Sequence, residues 1–199
     1  MMHEQLDWLL NMASTDPEAE LFFYYSGHGN NDEATKQAYL LPVDITGKNI
    51  HLGISLADLY QRLATYPVKG AYVFLDACFS GGYKSAAPLL AQKGVRVVPK
   101  LGMPQGHTIS FSSSSGDQTS SVYHDKKQGY YTYFLLKTIQ DAHGEITMKE
   151  LFERTNAEVK KATAFIGKMQ EPQYIVSPTW TGWSDIQLKT PAVETAPVQ

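Results

Sequence analysis

Three short apolar runs, "LFFYY" (21–25), "AYVFLDA" (71–77) and "HTISF" (107–111), constrain the fold more than any other feature of this chain. Each is short, rich in aromatic or β-branched residues and followed by small or polar residues, the pattern of a strand buried on both faces. Between the first two, "SLADLYQRLATY" repeats Leu56, Leu59, Tyr60 and Leu63 on one helical face behind Ser55 as N-cap. Strand, helix, strand in that order predicts a β-α-β unit with parallel strands and a right-handed crossover. A helix at "HEQLDWLLNM" comes first, and two more close the chain: "YYTYFLLKTIQDA", and one from Thr147 to about Ala164 opened by a Thr147/Glu150 capping box. The class is α/β, with a mostly parallel central sheet flanked by helices.

Composition narrows the function classes. The chain of 199 residues carries a net charge of -3 and no basic run, which argues against nucleic acid as a partner. No apolar run reaches the ~20 residues needed to cross a bilayer, and "MMHEQLDWLLNM" holds Glu4 and Asp7 where a signal peptide is cationic and then apolar. A soluble, cytoplasmic protein is the expectation, although the single cysteine favours neither redox compartment. Cys78, being alone, forms no intrachain disulfide: it is a small buried hydrophobe or a reagent.

The ends of the strands suggest which. In an open parallel sheet, ligands bind beyond the carboxyl ends of the strands, so the loops after Tyr25, Ala77 and Phe111 should meet at one edge. Strand alternation would point Ser26 and His28 one way and give Asp76 and Cys78 a common side. An imidazole beside a thiol can take its proton or hold the thiolate, which is what a cysteine nucleophile needs. Gly29 and the Ser80-Gly81-Gly82 run let the backbone turn and expose amides, so the N–H groups of Gly29 and Cys78 are candidates for an oxyanion hole. Each residue also has a bland reading: a lone cysteine is usually structural, and a histidine at a strand end is usually a surface hydrogen-bonding group. Their joint placement at the ends of buried strands favours chemistry.

"YYSGHG" and "DACFSGG" resemble the His and Cys motifs of the caspase-like cysteine peptidases, in particular the metacaspases and their bacterial relatives. His28 stands 50 residues ahead of Cys78, close to the interval of about 50 that separates the two in caspases. "FSSSSGDQTS" followed by "GYYTYFLLKTI" is similar to the segment that forms the family's small subunit. The resemblance, which runs from Glu20 to about Ala164, implies a caspase-hemoglobinase fold and a His28/Cys78 dyad. It implies one peptidase domain over 1–188: a large-subunit-like part over about 1–82, an exposed connection over about 83–106, and a small-subunit-like part over about 107–188. Residues 189–199 have the composition of a disordered tail.

Departures from the family pattern refine the expectation. Caspases carry a Gln-Ala-Cys-Arg-Gly type of signature and cut after aspartate, whereas this chain has Asp76 in place of the Gln and Phe79 where the Arg often stands. Asp76 is similar to the pocket aspartate of metacaspases and Ser26 to a pocket-wall position, which implies cleavage after Arg or Lys; capping a turn is the alternative role for Asp76. Asp117 is a further candidate for the pocket, although "SGD" is also a plain turn.

Many metacaspases need calcium, held partly by an acidic pair ahead of the helix between the two motifs. "NIHLGISLADL" has no such pair and no ligand-like His spacing is present, so no metal or other cofactor is expected. The chain enters at a helix, where the family's sheet begins with a strand, a helix and a further strand. The expected fold thus lacks its usual first strands: either it is completed differently, or the chain is a fragment or a processed form, and a missing edge would leave a strand unpaired and apolar surface exposed. Lys84, Lys93, Arg96 and Lys100 in the connection make self-cleavage an expectation, at Lys93, Arg96 or Lys100 first.

The partner implied is a peptide or protein substrate with Arg or Lys before the cut; the sequence is silent on oligomeric state. Two other readings compete with a peptidase. One is a catalytically silent caspase-like interaction module in which Cys78 only packs; the other is a Cys/His acyl or amide transferase on a different α/β fold.

Overall fold

The computed structural model describes residues 2–45, 47–79, 99–115 and 118–188. Helix α1 (Met2–Ala13) leads into β1 (Glu20–Asn31), β2 (Ala38–Leu41), β3 (Ile54–Ser55), α2 (Leu56–Leu63), β4 (Gly70–Cys78) and β5 (Thr108–Ser112). A short hairpin of β6 (Val122–Tyr123) and β7 (Gln128–Gly129) precedes α3 (Tyr130–Asp141). Then come β8 (Ile146–Thr147), α4 (Met148–Phe165), β9 (Gln173–Val176) and β10 (Gln187–Leu188).

Six strands form one sheet in the order β3-β2-β1-β4-β5-β9. Its centre, β1-β4-β5, is parallel, as a strand-helix-strand chain requires, and β2, β3 and β9 extend it by antiparallel pairing. Ser55 caps α2 by accepting from the Asp58 amide, and Leu56, Leu59, Tyr60 and Leu63 are all buried. The capping box of α4 is also present: Thr147 accepts from the Glu150 amide, and the Glu150 carboxylate accepts from the Thr147 amide.

Side-chain alternation along β4 builds two cores from one strand. Ala71, Val73, Leu75 and Ala77 pack with α1 and α2 through Leu6, Leu10, Leu59 and Leu63. Tyr72 and Phe74 face the other way and pack with α3 and α4 through Tyr131, Phe134, Leu151 and Val159. The sheet therefore lies between two helical layers. By the same alternation Asp76 and Cys78 share the face of Tyr72 and Phe74. Their ladder partners Ser26 and His28 share the face of Phe22 and Tyr24 on β1.

One expectation needs correction. The loop expected after Tyr25 is instead the end of β1, which runs on as far as Asn31. Ladder bonding to β4 through His28 and to β2 through Asn31 overrides its low strand propensity. β2, β3 and β9 gave no separate signal, being only two to four residues long. Among the described residues β1 pairs on its β2 side only through residues 28–31, which leaves that edge of Glu20–Gly27 bare, and Phe22 and Tyr24 are about half exposed. Of the connection expected over about 83–106, residues 83–98 lie outside the described residues.

Candidate active site

Parallel pairing of β1 and β4 sets Ser26 opposite Asp76, Gly27 opposite Ala77 and His28 opposite Cys78. Two residue pairs separated by one step of alternation therefore sit on the same sheet face, the nearer pair bearing oxygen and the farther pair an imidazole and a thiol. The end of β1 is held by Tyr25, whose hydroxyl lies 2.7 Å from the carbonyl oxygens of both His28 and Leu41, themselves register partners. Burial pushes that phenol up to about 12, against the lowering effect of the Leu41 carbonyl bond, so it remains a neutral donor at physiological pH. His28 is exposed, and among the described residues its ring has no hydrogen-bond partner. A Cβ at Gly29 would lie 2.7 Å from the Cys78 carbonyl oxygen and from the Phe79 ring, so only glycine permits this approach of the two strand ends.

Cys78 is half-buried, and its thiol is engaged by Ser120. The Ser120 amide donates to Sγ at 2.7 Å, and Sγ lies 3.7 Å from the Ser120 carbonyl oxygen, to which the thiol donates. Burial pushes the thiol pKa up, the Ser120 amide pulls it down and the Asp76 charge raises it. The resting thiol is therefore neutral.

Asp76 is only 6% exposed. Ser120 Oγ donates to its Oδ1 at 2.6 Å, and Thr132 donates to its Oδ2 from Oγ1 at 2.6 Å and from the backbone at 3.2 Å. The last bond caps α3 from outside, because Gly129 at the N-cap position has no side chain to do so. Gly129 also yields space to the carboxylate: a Cβ there would stand 2.1 Å from Asp76 Oδ2. Asp76 thus has the capping role weighed against the pocket role in the sequence, on α3 rather than on a local turn.

The described candidates converge in one place: Ser26, His28, Gly29, Asp76 and Cys78 lie at adjoining ends of β1 and β4. Asp117, Lys84, Lys93 and Arg96 lie outside the described residues. Lys100 is described, and its amide and carbonyl are both bonded, to Lys36 and Ala38. A backbone pinned on both sides is poorly suited to extend into a protease cleft. Sequence reasoning missed Ser120, Thr132 and Gln170, all at least 42 positions from Cys78 along the chain. Ser120 sits in a serine-rich run that reads only as polar loop. Among the described residues no cluster of three or more His, Cys, Asp or Glu is placed to hold a metal, and no helix is long and apolar enough to cross a membrane.

Residues 1–180 match the family model of the caspase domain. This chain belongs to the caspase-domain family. It is 29% identical over 163 residues to metacaspase-2 of Arabidopsis thaliana, an alignment covering 70% of this chain and 38% of that protein, so the chain spans well under half of its curated relative. Its fold is also similar to those of solved structures. The Geobacter sulfurreducens protein GSU0716 superposes with a TM-score of 0.61 at 14% identity, over 93% of this chain and 76% of that one. Caspase-1 of Spodoptera frugiperda gives 0.57 at 13% identity, over 90% and 69%. Membership places the chain among cysteine-peptidase-like domains and accounts for the mixed sheet between two helical layers.

Proposed function

We propose that this caspase-domain protein is a cysteine endopeptidase with Cys78 as nucleophile and His28 as general base, cleaving after Arg or Lys. The observation that carries the reading is the parallel register, His28 against Cys78 and Ser26 against Asp76 on one face. In this reading His28 takes the Sγ proton as the thiolate attacks the scissile carbonyl carbon, and the N–H groups of Gly29 and Cys78 receive the developing oxyanion. The tetrahedral adduct then breaks its C–N bond, and the imidazolium gives its proton to the departing amine. Water, deprotonated by the same imidazole, attacks the thioester and restores the thiol. Asp76, with Ser26 beside it and Asp117 in the following loop, meets the cationic side chain before the cut. Self-cleavage in the connection after Cys78 belongs to the same reading, at Lys93 or Arg96 ahead of the pinned Lys100.

Matched fluorogenic peptides with Arg, Lys, Asp or Leu before the bond test it. Release from the Arg and Lys peptides alone is expected, and a preference for Asp or Leu would remove Asp76 from the pocket. The neutral, Ser120-bonded thiol favours a second reading, the silent interaction module. An arginyl chloromethyl ketone separates the two, since it labels Cys78 in a peptidase and leaves a silent module unmodified.

A further inference from the structure

Ser120 touches both halves of the site at once. Its backbone brackets the Cys78 sulfur through the amide at 2.7 Å and the carbonyl at 3.7 Å, while its hydroxyl donates to Asp76 Oδ1 at 2.6 Å. One residue can do this because Asp76 and Cys78 are two positions apart on a strand and face the same side, roughly 7 Å from each other along it. The two oxygens of Asp76 are held unequally. Among the described residues, Oδ2 takes both Thr132 donors from the start of α3, whereas Oδ1 takes the Ser120 hydroxyl alone. Oδ1 is the oxygen a ligand can claim without unseating the carboxylate.

The loop carrying Ser120 is anchored on both sides. Gln170, 2% exposed, accepts from the Ser121 amide at 2.8 Å and donates to the Ser113 carbonyl at 3.0 Å, and Gln118 accepts from the Glu171 amide at 2.7 Å. Gln170 Nε2 also lies 3.5 Å from Ser120 Oγ, so hydroxyl and backbone share one anchor. A displacement of the hydroxyl that swings the backbone at Ser120, and does not merely turn its χ1, carries the amide and carbonyl off the sulfur.

We propose that Ser120 is a positioning residue that couples the pocket to the nucleophile: a cationic side chain that claims Asp76 Oδ1 displaces Ser120 and thereby unmasks Cys78. This rests on the peptidase reading above and adds to it a requirement that the correct substrate side chain arrive before the thiol is free. The exchange favours the substrate, since a guanidinium or ammonium brings a full opposite charge to the donor it places on Oδ1, where the hydroxyl brings a donor without charge. Once a cation is seated, the Asp76 charge that raises the thiol pKa is offset and withdrawal of the loop lessens the burial that raises it more; loss of the Ser120 amide bond acts the other way, so the gain is chiefly access to the sulfur.

Cys78 is the sole cysteine, so alkylation of the full chain by iodoacetamide, followed by intact mass, reads this thiol alone. Agmatine supplies a guanidinium on an alkyl stem with no bond to cleave. Saturating agmatine should accelerate alkylation of the wild type at neutral pH by about threefold or more, as expected of a thiol released from a masking contact. In Ser120→Ala, which keeps the amide and loses the hydroxyl, that acceleration should vanish. The KM of an arginyl peptide should fall by about threefold in this variant, with kcat changed less, because the pocket is no longer occupied by a competitor. Agmatine that raises the melting temperature but leaves alkylation unchanged or slower would overturn the latch while the pocket stands. Agmatine that alters neither would overturn pocket and latch together, and full acceleration retained in Ser120→Ala would take Ser120 out of the coupling. The wild-type arm needs no variant to fold.

Discussion

His28 and Cys78 are direct partners in a parallel ladder, and Ser26 and Asp76 are partners two residues earlier in the same ladder. The spacing of the four side chains is therefore set by backbone hydrogen bonding along two strands, and not by loops whose conformation could drift. β4 is buried from Gly70 through Ala77, giving the pair a rigid mount.

The dyad is expected to be separable from the fold. Cys78→Ala should abolish peptide hydrolysis, since no second thiol exists in the chain, and His28→Ala should reduce kcat by roughly 10²–10⁴-fold, the usual contribution of a general base. His28 is exposed and Cys78 half-buried at the ends of their strands, so melting temperatures should stay near that of wild type. Near-normal hydrolysis by either folded variant would refute the assignment.

Asp76 should prove both a pocket and a structural residue. Asp76→Asn keeps the shape but removes the charge and leaves one acceptor oxygen for donors from Ser120 and Thr132. Hydrolysis after Arg is expected to fall more than about tenfold, from loss of a charged partner. Chemical denaturation should show a loss of about 1–3 kcal/mol, the range for a buried donor left unpaired. Loss of hydrolysis with unaltered stability would mean the capping bonds to α3 contribute nothing measurable.

Gly129→Ala reports on the same carboxylate from the opposite side. The new methyl would stand 2.1 Å from Asp76 Oδ2, so the carboxylate or the start of α3 must move. A destabilisation of about 1–3 kcal/mol is expected, as for overpacking elsewhere, together with weaker discrimination between Arg and Leu peptides. Wild-type stability and selectivity would show that this contact relaxes freely.

Alkaline pH should expose the buried phenols. Burial pushes Tyr60 up to about 12, opposed by its bond to Ser110, from an ordinary value of 10.0. The folded state thus favours the protonated phenol. Its contribution is complete below about 10, where the unfolded chain titrates, and is lost as pH rises towards about 12. The melting temperature of wild type should fall over that window, less steeply in Tyr60→Phe, and equal slopes would refute the assignment. Tyr25 shifts in the same direction, so part of the slope remains in the variant.

Hydrolysis should persist in excess EDTA and gain nothing from added calcium. Hard cations need several converging oxygens, and among the described residues no acidic cluster provides them. Strict dependence on calcium in the same peptide assay would point to ligands beyond those residues.

The sequence by itself determined what rests on short-range pattern. The buried strands around Val73 and Ile109, the existence of the strand around Tyr24 though not the half-exposed face that structure gives it, the face and cap of α2 and the capping box of α4 all follow from periodicity and from hydrogen bonds spanning three or four residues. His28 and Cys78 were legible for the same reason, as small-residue punctuation at the ends of apolar runs. Tertiary structure decided that β1 runs on through His28 to Asn31, because its ladder bonds come from β4 and β2. It also decided that Asp76 receives Ser120 from 44 residues away and Thr132 from 56. Such contacts have no period and no composition of their own. They exist because folding removes water from the Asp76 carboxylate, and a carboxylate without water takes whatever donors the chain brings to it.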